Sequence, residues 1–408
     1  METRSILEAA GRVYRAKGIS PRVAGISISA IKEMPILAAQ VKDAVSLGQG
    51  IPSFRTPAHI RAAVARALEE DGSIGKYSLQ PGWPKLKEAV ARELSRSKGL
   101  TVDPEREVFI STGSMEALFA GIMTVIEPGG EVIMPSPNYA SHVEQVLLAG
   151  GRVVWAPLLE QEGWRLDLEA MNRAVTDRTR AIILCNPSNP TGAVFPEQDV
   201  RGLAELCLKH DLFLISDEAY DFMIYDREPP FSAVMIPELK ENVIACFSFS
   251  KKYAVTGWRV GYMYASSGII DQALKVHDAV TIAAPTVAQV AALAALEGPQ
   301  DCVAEMVAEL KARRDLMCLR LDQLNPIFTY QRPQGAYYIF ARYNLPGLTS
   351  VELALKLLFE AGVITIPGQA FGPTGASFIR LSFGGTREEI NEAFDRIGAW
   401  LKAQGHLT

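Results

Sequence analysis

Short apolar runs alternate with helical stretches along most of the chain, and this alternation constrains the fold more than any other feature. Helical patterns such as 115–126 and 200–210 separate most of the runs. The runs span 107–110, 131–134, 181–184, 212–215, 243–245 and 260–264. Strands that alternate with helices form a mostly parallel sheet with helices on both faces. The last two runs are close enough in sequence to pair directly. We therefore predict an α/β fold.

Polar residues and Gly or Pro follow nearly every run. In open α/β sheets, ligands bind beyond the carboxyl ends of the strands, which is where these residues would lie. We therefore expect the functional site at that edge of the sheet.

A second, smaller α+β unit is predicted after Gly298 and Pro299, which mark a break in the pattern. A long charged amphipathic stretch, 300–324, would connect to it as a helix. Its strands are predicted near 336–341, 363–366 and 378–382, and its helices near 350–361 and 387–404. We divide the chain into an N-terminal segment (1–55) that joins the small domain, a large domain (56–298), and the connecting helix with the small C-terminal domain (299–408).

Composition excludes several classes of protein. The 408 residues carry a net charge of -5 without a long block of like charge, so nucleic-acid binding has no electrostatic support. The most apolar window, 279–296, contains Pro285 and polar residues, which indicates one packed interior helix rather than a membrane span. Because the first residues lack the apolar core of a signal peptide, we expect a cytoplasmic protein.

Cysteine and histidine spacing argues against disulfides and metals. The 5 cysteines are dispersed without a CxxC pair, which favours reduced thiols. The 5 histidines show no metal-ligand spacing, so no metal site is expected.

One segment concentrates reactive residues. Ser248, Ser250 and Lys251 follow the apolar run 243–247, and Arg259 lies eight positions after the lysine. A lysine can form a Schiff base with an aldehyde, and hydroxyls with a guanidinium can hold a phosphate. Taken alone, the same residues would also suit a strand followed by a basic surface turn.

Three other strand ends carry polar groups. Ser114 lies at a strand-to-helix junction, where free N–H groups bind phosphate, although it could simply be a helix cap. Asn189 could direct an amide donor at a phenolate or belong to a plain turn, and its bond to Pro190 could be cis. Asp217 could pair with a protonated pyridine nitrogen or cap a helix, while Tyr220 could donate to the same phenolate.

Phosphate, phenolate, pyridinium nitrogen and aldehyde all belong to pyridoxal 5'-phosphate. The chain resembles the class I (fold type I) pyridoxal-phosphate-dependent aminotransferases, of the aspartate and aromatic type, over nearly its whole length. The resemblance is carried by Gly50–Pro52, Tyr77, Gly113–Met115, Tyr139, Asn189–Gly192, Asp217–Tyr220, Ser248–Lys251, Gly257–Arg259, Gly335–Tyr337 and Arg380.

The resemblance implies a role for each site residue. Lys251, rather than Lys252, would form the Schiff base. The phosphate would be held by Ser114, the backbone of Met115, Ser248, Ser250 and Arg259. Tyr139 would stack on the cofactor ring with Ala219 against its other face, and Tyr77 would reach the phosphate of a partner subunit in a homodimer.

Arg380 lies among apolar residues on a predicted strand, so it needs a carboxylate partner. From the residues alone, that partner could be another side chain in a structural ion pair. The resemblance instead implies that Arg380 binds the α-carboxylate of the substrate, helped by Asn189 and the backbone near Gly50.

The implied activity is a ping-pong transfer of the amino group from an L-amino acid to a 2-oxo acid such as 2-oxoglutarate. Lys251 would act as the base, and Asp217 would keep the cofactor ring an electron sink. A β-lyase, an aminocyclopropane-carboxylate-type synthase and, more remotely, a ligand-sensing regulator remain alternatives on this fold.

The preferred donor stays open. Met115 lies in a region where some aspartate-specific relatives have a lysine, which weakens an aspartate preference without excluding it. The apolar residues Ile26, Ile28, Ile51 and Phe54 could line a side-chain pocket or belong to the core.

Overall fold

The structure is a computed structural model that describes residues 18–26 and 30–407. These residues form an eight-stranded, a four-stranded and a two-stranded sheet. The strands are β1 Val45–Ser46, β2 Val108–Ser111, β3 Glu131–Ser136, β4 Arg152–Leu159, β5 Arg165–Leu166, β6 Thr179–Cys185, β7 Phe213–Asp217, β8 Val243–Ser248, β9 Gly261–Ala265, β10 Phe328–Tyr330, β11 Tyr338–Tyr343, β12 Val363–Ile364, β13 Ile366–Pro367 and β14 Phe378–Ser382.

The helices cover most of the remaining chain. They are α1 Pro21–Ala24, α2 Ala30–Ala38, α3 Ala58–Glu70, α4 Pro84–Lys98, α5 Ser114–Val125, α6 Ala140–Leu148, α7 Leu168–Ala174, α8 Glu197–Lys209, α9 Phe249–Lys252, α10 Ser267–Thr281, α11 Thr286–Glu297, α12 Asp301–Asp322, α13 Ser350–Phe359 and α14 Arg387–Ala403. Within the described ranges, no helix is both long and apolar enough to cross a membrane.

The large sheet has the strand order β2-β9-β8-β7-β6-β3-β4-β5. Its centre, from β8 to β4, is parallel. All six predicted runs lie on strands of this sheet, and β8 pairs directly with β9, in the antiparallel sense. The predicted α/β fold is therefore confirmed. Strand β4 was missed because Pro157 interrupts its apolar pattern and much of the strand is partly exposed.

Helices cover both faces of the large sheet. Successive side chains of a strand point to opposite faces, so an apolar strand has side chains to bury on both faces. In β6, Ile182 and Leu184 pack in a cluster with α4 and α8, whereas Ala181 and Ile183 pack in another with α5 and α10. Strands buried on both faces need continuous apolar runs, which is the pattern that the sequence shows.

The smaller unit contains the antiparallel sheet β10-β11-β14-β13. Side chains of α12 and α14, such as Leu310 and Phe394, share a buried cluster with Ile339 of β11. Strand β1 pairs in parallel with β12, so the chain before residue 55 is joined to this part of the molecule.

One predicted element is wrong. The window 279–296 is not one helix, because α10 ends at Thr281 and α11 begins at Thr286. Pro285 occupies the N-cap of α11, where its missing N–H costs nothing. Ile282 between the two helices has a positive φ of 65°, which breaks the helical path.

Candidate active site

The candidate residues collect where three neighbouring parallel strands end. Asn189 follows β6, Asp217 is the last residue of β7, and Lys251 lies in the short helix α9 that follows β8. The register pairs Cys185 with Asp217 and Asp217 with Cys246, so these ends are level with one another. This is the sheet edge at which the sequence predicts the site.

Lys251 and its neighbour Lys252 differ in environment. Lys251 Nζ donates to the carbonyl oxygen of Gly50. Burial, with Arg259 and Arg380 nearby, lowers the pKa of Lys251 to about 8. Burial also opposes the charge of Lys252, but nearby acidic groups outweigh it and raise its pKa, and its Nζ lies 2.8 Å from Glu93 Oε1. Lys251 is therefore the lysine that can lose its proton and react.

An anion-binding cradle forms at the start of α5. Gly113 is the N-cap, with a φ of 78°, and no side chain caps the helix. A Cβ on Gly113 would lie 2.5 Å from Arg259 Nη2, so glycine allows the guanidinium to approach the helix start. Arg259 is oriented by a hydrogen bond from Nη1 to the Thr256 carbonyl, 2.9 Å long. Free N–H groups and a guanidinium together favour a phosphate.

Hydroxyl groups line the same cradle. Ser248 Oγ accepts from the backbone N–H of Ser250 at 3.1 Å, which leaves its own proton free to donate. Arg259 Nη1 lies 3.4 Å from Ser250 Oγ. Thr112 Oγ1 is buried without a partner, although the prediction did not single it out. Met115, half-buried at the second position of α5, accepts a hydrogen bond at its carbonyl from Gln145 Nε2.

Asp217 is held by a histidine that sequence reasoning missed. Its Oδ2 lies 3.0 Å from His142 Nε2, and His142 Nδ1 lies 2.9 Å from Asn138 Oδ1. Its Oδ1 accepts from the backbone N–H of Ala219 at 3.2 Å. The only sequence signal was the spacing of Asn138 and His142, four residues apart across the start of α6. From the sequence alone, His142 is considered only as a possible metal ligand.

Two neutral donors flank this carboxylate. Asn189 Oδ1 accepts from Arg380 Nη1 at 3.1 Å, so its amide nitrogen is the group left to donate. The Asn189–Pro190 bond is cis, as the sequence allowed. Tyr220 Oη lies 3.0 Å from Tyr338 Oη, and burial raises the pKa of Tyr220 well above its usual value. Its hydroxyl therefore stays protonated and able to donate.

Small and aromatic side chains complete the walls. Ala219 is buried two residues after the end of β7. Tyr139 precedes α6, and its ring meets the ring of His142 edge-on, with centroids 5.4 Å apart. Tyr337, whose role the sequence left unassigned, donates from Oη to the Gly50 carbonyl at 2.6 Å.

Arg380 is buried in β14 with unused hydrogen-bonding capacity. Its side chain packs on the rings of Tyr338 and Phe371, 4.4 and 5.0 Å from their centroids. Nη2 donates to the Gly48 carbonyl at 2.7 Å, while Nε is buried without a partner. Among the residues that the structure describes, no carboxylate pairs with Arg380, so the alternative of a structural ion pair finds no support there.

The remaining predicted residues differ in exposure. Tyr77 lies in the loop between α3 and α4 and is 79% exposed. Of the apolar residues considered for a side-chain pocket, Ile51 is 55% exposed, and Phe54 packs under the guanidinium of Arg313 at 4.6 Å. Ile26 is half-buried, whereas Ile28 lies outside the described residues.

The groups at this edge fit one ligand. The cradle suits a phosphate, the buried carboxylate of Asp217 suits a protonated ring nitrogen, and the amine of Lys251 suits an aldehyde. Pyridoxal 5'-phosphate carries all three. The Nε of Arg380 has no hydrogen-bond partner and could donate to the carboxylate of a second ligand. Fold and site together thus define a pyridoxal-phosphate-dependent enzyme of fold type I.

Comparison with known proteins gives the family. A sequence model of the aminotransferase class I and II family matches residues 42–397, and the chain belongs to this family. It is 36% identical to an aspartate aminotransferase of Pyrococcus abyssi, over 94% of this chain and 98% of the relative. It is 34% identical to an aromatic-amino-acid aminotransferase of Thermococcus litoralis, over the same shares of the two chains.

Solved structures agree with this assignment. An aspartate aminotransferase of Thermus thermophilus, solved with maleate, superposes with a TM-score of 0.89 at 34% identity, over 94% of this chain and all of that one. A Pyrococcus protein, protein A1, gives a TM-score of 0.91 at 36% identity, over 95% and 99% of the two chains. The chain is therefore an aminotransferase, and the cofactor of its family is pyridoxal phosphate.

Proposed function

We propose that this aminotransferase moves the amino group of an L-amino acid to 2-oxoglutarate by a ping-pong mechanism, with Lys251 holding the cofactor as a Schiff base. The observation that carries the proposal is the position of Lys251. Burial lowers the pKa of its amine, and the positive charges of Arg259 and Arg380 lower it further. One arginine suits the cofactor's phosphate and the other suits the substrate's carboxylate.

The cofactor would be held at four points. Ser114, the Met115 backbone, Ser248, Ser250 and Arg259 take the phosphate. Asp217, kept in place by His142, faces the ring nitrogen. Tyr139 and Ala219 would pack against the ring, and the amide of Asn189 and the hydroxyl of Tyr220 would donate to the phenolate. When bound, the cofactor withdraws electrons from the substrate and makes its Cα proton acidic.

Lys251 is the proposed general base. An unperturbed lysine has a pKa of about 10.4 and would be almost fully protonated at neutral pH. The lowered pKa, about 8, gives a useful fraction of free amine. Nζ can then take the proton from the substrate's Cα. Tyr337 and Gly50 keep the amine oriented, because the Gly50 carbonyl accepts from both Tyr337 and Lys251.

Arg380 is proposed to bind the α-carboxylate of both substrates in turn. The amino acid and the 2-oxo acid carry the same carboxylate, and one arginine can serve both only if the first product leaves before the second substrate binds. This is the order of a ping-pong mechanism. A dicarboxylate acceptor is supported by the Thermus thermophilus relative, whose structure contains maleate.

We propose that the enzyme is a homodimer, with Tyr77 completing the phosphate site of the partner subunit. Support comes from the apolar surface around this loop. Tyr77, Leu79, Val280 and Ile282 are 79, 62, 55 and 47% exposed, and large apolar groups clustered on a surface mark an interface. The carbonyl of Lys76 is fixed by the hydroxyl of Thr286 at 2.6 Å, so the loop is held in position.

An amino-donor screen tests the function. The purified protein, loaded with pyridoxal phosphate, is mixed with 2-oxoglutarate and single amino acids, including aspartate, phenylalanine, tyrosine and alanine. We expect glutamate and the donor's 2-oxo acid in equal amounts, without ammonia. Pyruvate and ammonia from cysteine-type donors, without transfer, would instead identify a β-lyase. The screen also decides the donor, which the names of the relatives leave open between aspartate and aromatic amino acids.

A further inference from the structure

A buried lysine lies behind the end of β7, outside the site described above. Lys98 is the last residue of α4, and its side chain is only 6% exposed. Its Nζ lies 3.2 Å from Glu218 Oε2 and 3.1 Å from Asp221 Oδ2. We call Lys98, Glu218 and Asp221 the lysine cluster. One cation therefore serves two carboxylates in a place that water barely reaches.

The lysine cluster is connected to the residues that face the site. Glu218 follows Asp217, and Asp221 follows Tyr220, so each acid is the direct chain neighbour of one of the two proposed cofactor contacts. Glu218 Oε1 accepts from the hydroxyls of Ser216 and Ser232, and the Glu218 N–H donates to the carbonyl of Cys246 at 2.9 Å. These hydrogen bonds, together with the two ion pairs, hold the segment 216–221 in place.

The charge of Lys98 holds this arrangement together. Burial opposes that charge, but Glu218 and Asp221 outweigh it and raise the pKa of Lys98. Without the lysine, a fully buried carboxylate and its neighbour would repel each other and lose the cation that bridges them. The backbone between them would have to move, and a small displacement of a group aimed at a ligand weakens its contact.

We propose that Lys98 is a positioning residue: through Glu218 and Asp221 it fixes Asp217 and Tyr220 against the ring of the bound cofactor. Lys98 itself touches neither cofactor nor substrate. The inference rests on the proposed roles of Asp217 and Tyr220. It adds a residue on α4, more than a hundred positions away in sequence, to the set that determines how the cofactor is held.

The same helix offers a matched control. Lys87 of α4 is also buried, with a side chain 2% exposed, and it also forms an ion pair, at 3.0 Å from Glu105 Oε2. Glu105 lies in the loop before β2, and its side chain is 63% exposed. Replacing either lysine with methionine removes a buried ammonium of similar environment. Only Lys98 is joined to the segment 216–221.

The experiment compares Lys98→Met and Lys87→Met in the full-length protein. Three quantities are measured: the melting temperature, the dissociation constant of pyridoxal phosphate from the cofactor-free protein, and the pH at which the visible band of the bound cofactor titrates. We expect both variants to melt at lower temperature. Only Lys98→Met should bind the cofactor roughly tenfold more weakly and shift the titration of the band. Equal cofactor affinity and equal titration in the two variants would overturn the proposal.

Two further variants keep the test decisive. If Lys98→Met does not fold, Glu218→Gln removes one charge of the cluster with little change in shape, and it should shift the band in the same way. An unshifted band in Glu218→Gln then counts against the proposal. Lys98→Arg retains the charge and should restore most of the affinity. If the wild-type protein shows no visible band, the proposed function fails. If the wild-type protein shows the band, but Lys98→Met and Lys87→Met have the same cofactor affinity and the same titration, only this inference fails.

Discussion

The two arginines of the site lie in regions that are prepared differently for their ligands. In the region proposed to hold the cofactor, Arg259 already donates to Thr256 in the cradle at the start of α5, and Asp217 is already held by His142 at the end of β7. In the pocket of β14, Arg380 is more deeply buried, yet its Nε has no partner. A buried unsatisfied donor costs free energy until a ligand supplies the acceptor.

The difference suggests two kinds of binding. The cradle is preorganised for a ligand that stays, because its charged groups are oriented by the protein itself. The β14 pocket has a donor that only an incoming group satisfies, which suits a substrate that binds and leaves. Lys251 is affected by both regions, since burial and then the charges of Arg259 and Arg380 lower its pKa.

The largest effect should follow from removing the group that both regions affect. Lys251→Ala removes the base and the covalent link, so we expect transamination to fall at least roughly 10³-fold. Lys252→Ala is the control, because Lys252 is paired with Glu93, and its kcat should stay within a few-fold of the wild type. Initial rates with the best donor decide the matter; a Lys251→Ala rate within tenfold of the wild-type rate would refute the assignment.

The next largest effect concerns the β14 pocket. Arg380→Ala should raise KM for the amino acid and for the 2-oxo acid by about 10² to 10³, because a charge-assisted contact with the carboxylate is lost. Arg380→Lys should fall in between, since lysine lacks the planar fork. Arg342→Ala, on the neighbouring strand and paired with Glu160, serves as the control. An unchanged KM in Arg380→Ala would exclude a carboxylate at this arginine.

The pH dependence tests whether the two arginines act on one amine. Because the neutral amine of Lys251 is the active form, kcat should rise with pH and level off near the pKa of about 8. Below that pKa, kcat should fall about tenfold for each unit by which the pH decreases. Arg259→Gln removes a positive charge that disfavours the ammonium form of Lys251. The pKa of Lys251 should therefore rise, and the pH at which kcat levels off should be higher. A pH profile of kcat that is unchanged in this variant would mean that Arg259 does not affect the pKa of Lys251.

The smallest effect concerns the surface loop. Tyr77→Phe should weaken pyridoxal phosphate binding by roughly two- to tenfold, the range for the net contribution of one typical hydrogen bond. The native mass of the protein should be twice that of the chain. Unchanged affinity in a protein of monomer mass would remove Tyr77 from the cofactor site.

The sequence predicted those parts of the site that lie at strand ends. Asn189, Asp217 and Lys251 each follow an apolar run, and in a parallel sheet such ends meet at one edge. His142 and Tyr338 escaped prediction because they reach Asp217 and Tyr220 only through contacts between distant parts of the chain. No local pattern carries that information.

The fold shows the same division. The strands of the large sheet follow from apolar runs, whereas the break between α10 and α11 depended on Pro285 acting as a helix start within an apolar window. The contact of Gly48 with Arg380 is also tertiary, and no local pattern in the sequence predicts it.

The most direct test of the account is to locate the covalent bond. Purified protein is incubated with pyridoxal phosphate, reduced with borohydride, digested and analysed by mass spectrometry. We predict a yellow protein whose visible band disappears on reduction, with the pyridoxyl group found on the peptide that contains Lys251. A label on Lys252 or on a surface lysine, or no label at all, would contradict the account.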